Sequence, residues 1–186
     1  MEHGRWTREV AEKLQERLSA DPVRYSGVRL YYDHGESGKA EVCQPTSYMG
    51  RRYGSDATLS GIDIVLLKNG RILVAVELEE SEVRPKTVLG DVFGVVLADR
   101  VRIRKRVHPL AGAVLIVAVA VAPRGRRAAK YSRLERHLGR HVGALNRDAA
   151  GRRVKKVRIV AVEPRHLVER IERLIRLEVG KETRTR

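Results

Sequence analysis

The sequence is poor in several things at once, and each shortage excludes something. It has one cysteine, Cys43. No disulfide can form within the chain and no zinc site can be built from cysteines, so a reducing, cytoplasmic setting is expected. Aromatic residues make up only 4%: one Trp, one Phe and six Tyr. Any core must therefore be built from aliphatic side chains. Long hydrophobic runs are missing as well. The longest, residues 111 to 122, is far short of the roughly 20 apolar residues that span a membrane, and MEHGRWTREV at the start has no apolar signal-peptide stretch. No membrane partner is expected. Acids are also few, with 23 Asp and Glu against 38 Lys and Arg, a formal net charge of +15.

The 186 residues suit one domain (1–186) with a real core. Apolar residues at 42% and charged residues at 33% fit a soluble globular chain. The basic residues are 29 Arg and 9 Lys. Arg grips phosphate bidentately and stacks on bases, so this balance suits a nucleic-acid partner. An Arg-rich, thermophile-like surface would give the same excess, but here it is clustered. Arg102, Arg104, Lys105 and Arg106 form one group, Arg124, Arg126 and Arg127 a second, and Arg152, Arg153, Lys155 and Lys156 a third. Arg51 and Arg52 lie in a glycine-bearing loop with Tyr53, a candidate substrate-facing segment.

Hydrophobic periodicity predicts a first helix over 7 to 19, with Thr7 as N-cap and Val10, Leu14 and Leu18 as its stripe. A strand follows at 28 to 32, with a returning hairpin strand over 40 to 44. No period is visible over 45 to 60. Strands are predicted over 62 to 67 and 72 to 78, and a helix over 85 to 99 opening at Pro85. Its apolar side is Val88, Leu89, Val92, Val95 and Val96, with Phe93 a further candidate. Gly90 and Gly94 would let it pack closely on a sheet. Residues 100 to 107 alternate Arg with aliphatics until Lys105 breaks the pattern. The run 111 to 122 is apolar on both faces, which predicts a central strand covered on both sides. A helix over 127 to 145, with Leu134, Leu138, Tyr131 and Leu145 inward, a strand over 157 to 162 and a helix from Pro164 to Gly180 complete the chain. The tail 181–186 is expected to fray. The order predicts an α/β fold: a mixed sheet with helices on both faces.

Three acids interrupt the most apolar stretch. Asp63, Glu77 and Glu79 sit in or at the ends of two strands joined around Asn69-Gly70, a strong hairpin signal. A strict two-residue turn places Asp63 opposite Val76, so that Asp63 and Glu77 point to opposite faces. A three-residue turn, or a bulge, puts all three acids on one face. Glu77 and Glu79 share a face in either case, because side chains alternate along a strand. Converging carboxylates repel unless they are protonated or metal-bound. Their hard oxygens suit Mg2+ or Mn2+, which can activate water and neutralise charge at a phosphodiester. The alternative is an exposed strand end whose acids pair with nearby Arg.

Asp63, then Glu77-Leu78-Glu79 at the end of a hairpin and just before a helix, resembles the PD-(D/E)XK nuclease superfamily. The resemblance covers residues 7 to 122 and implies a restriction-endonuclease-like αβββαβ core, with residues 123–180 as a C-terminal α-β-α extension. The sequence departs from the motif at two places. Ile62 stands where Pro is usual, and Glu79 stands in the Lys position, an E-x-E variant found in some restriction enzymes. By this resemblance Asp63, Glu77 and Glu79 would bind Mg2+ or Mn2+. Lys86, in the next helix, would replace the missing Lys, and a first-helix acid (Glu9, Glu12 or Glu16) could join the site. The implied activity is DNA endonuclease, and the alternative is an inactive DNA-binding or assembly subunit on the same fold. Cutting both strands of a duplex would favour a homodimer.

Overall fold

The computed structural model describes residues 4–34, 39, 41–79, 84–122, 124–148 and 154–182. In chain order these form α1 (Arg5–Ala20), β1 (Val28–Tyr32), β2 (Thr46–Tyr48), β3 (Thr58–Gly61), β4 (Ile64–Lys68), β5 (Arg71–Glu79), α2 (Pro85–Val96), β6 (Arg100–Ile103), β7 (Arg106–Pro109), β8 (Val114–Ala120), α3 (Arg126–Asp148), β9 (Lys156–Val162) and α4 (Leu167–Glu182). A 3-10 turn, Pro164–His166, leads into α4. The architecture is the predicted α/β one.

Five strands form a mixed sheet in the order β1-β4-β5-β8-β9. The first three pair antiparallel, and β8 runs parallel to both β5 and β9. Parallel neighbours need crossovers, and α2 and α3 lie in those two. A small antiparallel sheet, β3-β2-β6-β7, is built from the two segments that the crossovers and hairpins leave over. His108 ties the two sheets together by donating from Nδ1 to the Gly70 carbonyl at 2.9 Å.

The core has two halves, one on each face of the large sheet. On one face Val65, Ala75, Leu115 and Val117 meet Val88, Val92 and Val95 of α2, Tyr131 and Leu138 of α3, and Val101 and Ile103 of the small sheet. On the other, Ile64, Val74, Val76 and Ile116 meet Val10 and Leu14 of α1 and Leu167, Ile171 and Ile175 of α4. β8 is central and buried from both sides. Among the described residues no helix is long and apolar enough to cross a membrane.

Several local expectations are corrected. Gly4 caps α1 with a left-handed backbone (φ 80°), and Thr7 is buried inside the helix. The expected strand over 40 to 44 reduces, among the described residues, to one parallel bridge, Tyr32 to Val42. The stretch without a period contains β2 and β3, and the Arg-alternating segment is the hairpin β6–β7. Phe93 is exposed and is not part of the core. Gly94 does pack closely, since a Cβ there would meet the Ser60 Oγ at 2.5 Å, but Gly90 faces open space. α4 runs through Gly180 to Glu182. Arg152 and Arg153 lie outside the described residues, as does the Leu145 side chain.

Candidate active site

The turn between β4 and β5 is the two-residue kind: Lys68 pairs with Arg71, and Asn69 and Gly70 both have positive φ (52° and 78°). That register alone would separate the acids. However, the pairing shifts between Leu66 and Leu67, because Leu66 faces Val74 while Leu67 faces Ile72. Leu73 is the extra residue of a bulge, and Leu73 and Val74 both fall on the α1/α4 side. Beyond the bulge Ile64 pairs with Val76, which puts Asp63 opposite Glu77. Asp63, Glu77 and Glu79 therefore share the α2/α3 face.

Asp63 sits where the chain passes from the small sheet into the large one. Ile62 N–H donates to the Pro45 carbonyl at 2.8 Å, and the Asp63 carbonyl accepts from Asp33 N–H at 2.9 Å. Its carboxylate takes the place of a further β4 residue: Oδ2 accepts from Leu78 N–H at 2.7 Å. The Asp63 N–H in turn lies 3.4 Å from Glu77 Oε2. Glu77 is 8% exposed, and its Oε1 is buried without a hydrogen-bond partner. Burial first, then the charges of Asp63 and Asp91, push its carboxyl well above the usual carboxylate range. Glu79 is half-buried. Burial, a hydrogen bond with Asp91 and the Asp91 charge push it up to about 8.

Asp91, on α2, is a fourth acid, one that the sequence pattern did not single out. Its Oδ2 is also buried and unpartnered. A signal for it exists in hindsight: position 91 flanks the inner stripe of Val88, Val92, Val95 and Val96, about 40° around the helix from Val95. Lys86 is exposed, on a stripe with Gly90 and Phe93, about 140° around the helix from Asp91. Glu9, Glu12 and Glu16 belong to α1, across the sheet. Among the described residues, no cation is among the groups that shift Glu77 or Glu79.

Four carboxylates, two of them with a buried oxygen that has no hydrogen-bond partner among the described residues, form a donor set whose chemistry fits a hard divalent ion. As placed they pair two by two, Asp63 with Glu77 and Glu79 with Asp91. Among the described residues no three His, Cys, Asp or Glu side chains are arranged to hold a metal ion.

The predicted basic residues of the β6–β7 hairpin lie apart from the acids. Arg104, Lys105 and Arg106 join Arg29, Tyr31 and His108 around a groove of about 990 Å³ at the turn end of the β4–β5 hairpin, opposite the acid end. Arg102 stacks on the Tyr53 ring at 4.1 Å. Arg51, Arg52, Arg124, Arg126, Arg127 and Lys155 are exposed, and Lys156 is partly so. Comparison with protein-family models, with curated proteins and with solved structures matches none.

Proposed function

We propose that the protein is a nuclease that hydrolyses DNA phosphodiester bonds with Mg2+ or Mn2+ held by Asp63, Glu77, Glu79 and Asp91. The observation that carries this is Glu77: a carboxylate buried in an apolar strand, among other acids, with one buried oxygen that has no hydrogen-bond partner and no cation shifting it among the described residues. Such a group is costly unless protonated or metal-bound.

The bound ion would supply charge neutralisation at the scissile phosphate and a more acidic water. The chain's own residues do the rest. Asp63 and Glu77 are fixed by the ladder of β5 and set the site's position. Glu79, at the less buried rim, accepts a proton from an incoming water when ionised. Glu79 and Asp91, which share a hydrogen bond in this structure, would both serve as oxygen ligands to the ion. Lys86, on the outer side of α2, keeps only a solvent-side role.

A second reading is favoured by the hydrogen bonds themselves. Asp63 and Glu79 are satisfied within the chain, as a protonated structural cluster in a non-catalytic DNA-binding subunit would be. Plasmid cleavage in Mg2+ or Mn2+ against EDTA separates the two. Metal-dependent nicking that falls at least about 100-fold in Glu77→Gln supports the nuclease. Cleavage retained in that variant, or absent from the wild type on every DNA form, contradicts it.

A further inference from the structure

The two helical faces of the molecule carry opposite charge patterns. α1 and α4 interleave acids with bases. Arg5 pairs with Glu9 at 2.7 Å, and Glu172 meets Arg17 at 3.1 Å and Arg176 at 3.5 Å. α3 does not. Arg126, Arg127, Lys130, Arg133, Arg136 and Arg140 are all exposed on it. The one acid among its described side chains, Glu135, turns to β9 and takes Arg158 at 3.1 Å. Among the described residues no salt bridge joins the six basic side chains to an acid.

The arrangement is linear. At 100° per residue Arg126, Lys130, Arg133, His137 and Arg140 fall within an arc of about 80°, over about 21 Å of helix. Like charges at these spacings repel and weaken the helix, so the stripe gains nothing from within the chain. Arg140 also donates to His137 Nδ1 at 2.9 Å, which keeps that ring on the same line.

Two features narrow the partner. The stripe bears no aromatic side chain: Tyr131, the helix's one aromatic, is buried on the inner side. Single-stranded nucleic acids are gripped largely by stacking on aromatics, whereas a duplex presents phosphates to cations alone. The stripe also begins beside the acids. Glu79 pairs in register with Val119, and β8 ends one residue later, just before α3. The Glu79 charge reaches the Tyr131 hydroxyl within the first turns of α3.

We propose that the outer face of α3 is a docking surface for the phosphate backbone of duplex DNA, leading along the helix to the carboxylate cluster. The direction in which the strand leads rests on the nuclease reading; the docking itself does not.

The test is binding of a random-sequence duplex, followed by fluorescence anisotropy in EDTA across a salt series. The protein carries either Lys130→Gln/Arg133→Gln/Arg140→Gln on α3 or, as a control of equal charge change, Lys13→Gln/Arg170→Gln/Arg173→Gln on α1 and α4. The α3 variant should lose at least about tenfold in affinity, and its salt slope should fall by about 2.7, or about 0.9 for each phosphate it no longer neutralises. The control should change little. Equal losses from both variants, or none from the α3 variant, would overturn the docking surface. Tighter binding of the single strand or of duplex RNA, abolished in the same variant, would overturn the assignment to duplex DNA. Because EDTA removes any need for catalysis, α3-dependent binding without cleavage in the plasmid assay would sink the nuclease reading and leave this one standing.

Discussion

Glu77 occupies a strand position that its neighbours Val76 and Leu78 mark as core. With Glu79 it makes stability depend on pH in a direction opposite to that of a salt-bridged carboxylate. Both carboxyls have raised folded-state values, Glu79 moving from an ordinary 4.5 to about 8. The folded chain therefore holds these protons more tightly than the unfolded chain. The stability this gives is fully present below about pH 4.5 and is lost as pH rises towards and through 8. Discounting Glu79 for its half-burial leaves a fall of about 2 kcal/mol across that window. Chemical denaturation in EDTA should show this fall in the wild type and a smaller one in Glu77→Gln. A stability that climbs from pH 5 to 8 would contradict it. Asp63, Glu77 and Glu79 were legible because each breaks a hydrophobic run. Asp91 was not, because one acid in a helix is ordinary until the helix is known to be buried on that side.

At the scale of elements, the strands of the large sheet and its helices could be read along the chain from periodicity, since β8 is a long apolar run and α1, α2 and α4 carry clear stripes, but the order of strands within the sheet could not. The small sheet could not. β2 and β3 are three and four residues long, too short for alternation to register. The decisive feature, the Leu73 bulge, leaves no mark either: a two-residue turn and a bulge together give the same face as the simpler three-residue turn. Gly94 ties these elements together. Its carbonyl accepts from the Ser47 hydroxyl at 2.8 Å, and it lies against Ser60, so it fixes α2, and with it Asp91, on the small sheet. Gly94→Ala should force Ser60 and α2 apart, at a cost of about 1–3 kcal/mol, and should lower cleavage by displacing Asp91. Thermal unfolding measures the first effect and plasmid nicking the second. A variant as stable and as active as the wild type would mean that α2 does not need this close approach.

Across the whole molecule, acids and bases are sorted by place. The α1/α4 face is mixed and self-paired, the α3 face and the β6–β7 groove are basic, and an acid cluster lies at one end of the sheet between its strands and α2. The excess of positive charge could be read from composition, but the separation of the two faces required the fold. The claim that holds this picture together is that the acid cluster takes up a divalent cation. Calorimetric titration of Mn2+ into metal-free protein at pH 7, in buffers of different ionisation enthalpy, tests it most directly. The raised carboxyls must lose protons to bind, so the wild type should bind Mn2+ with release of about one proton per ion, and Glu77→Gln should bind far more weakly. Absence of Mn2+ binding, or binding that Glu77→Gln leaves unchanged, would contradict the account.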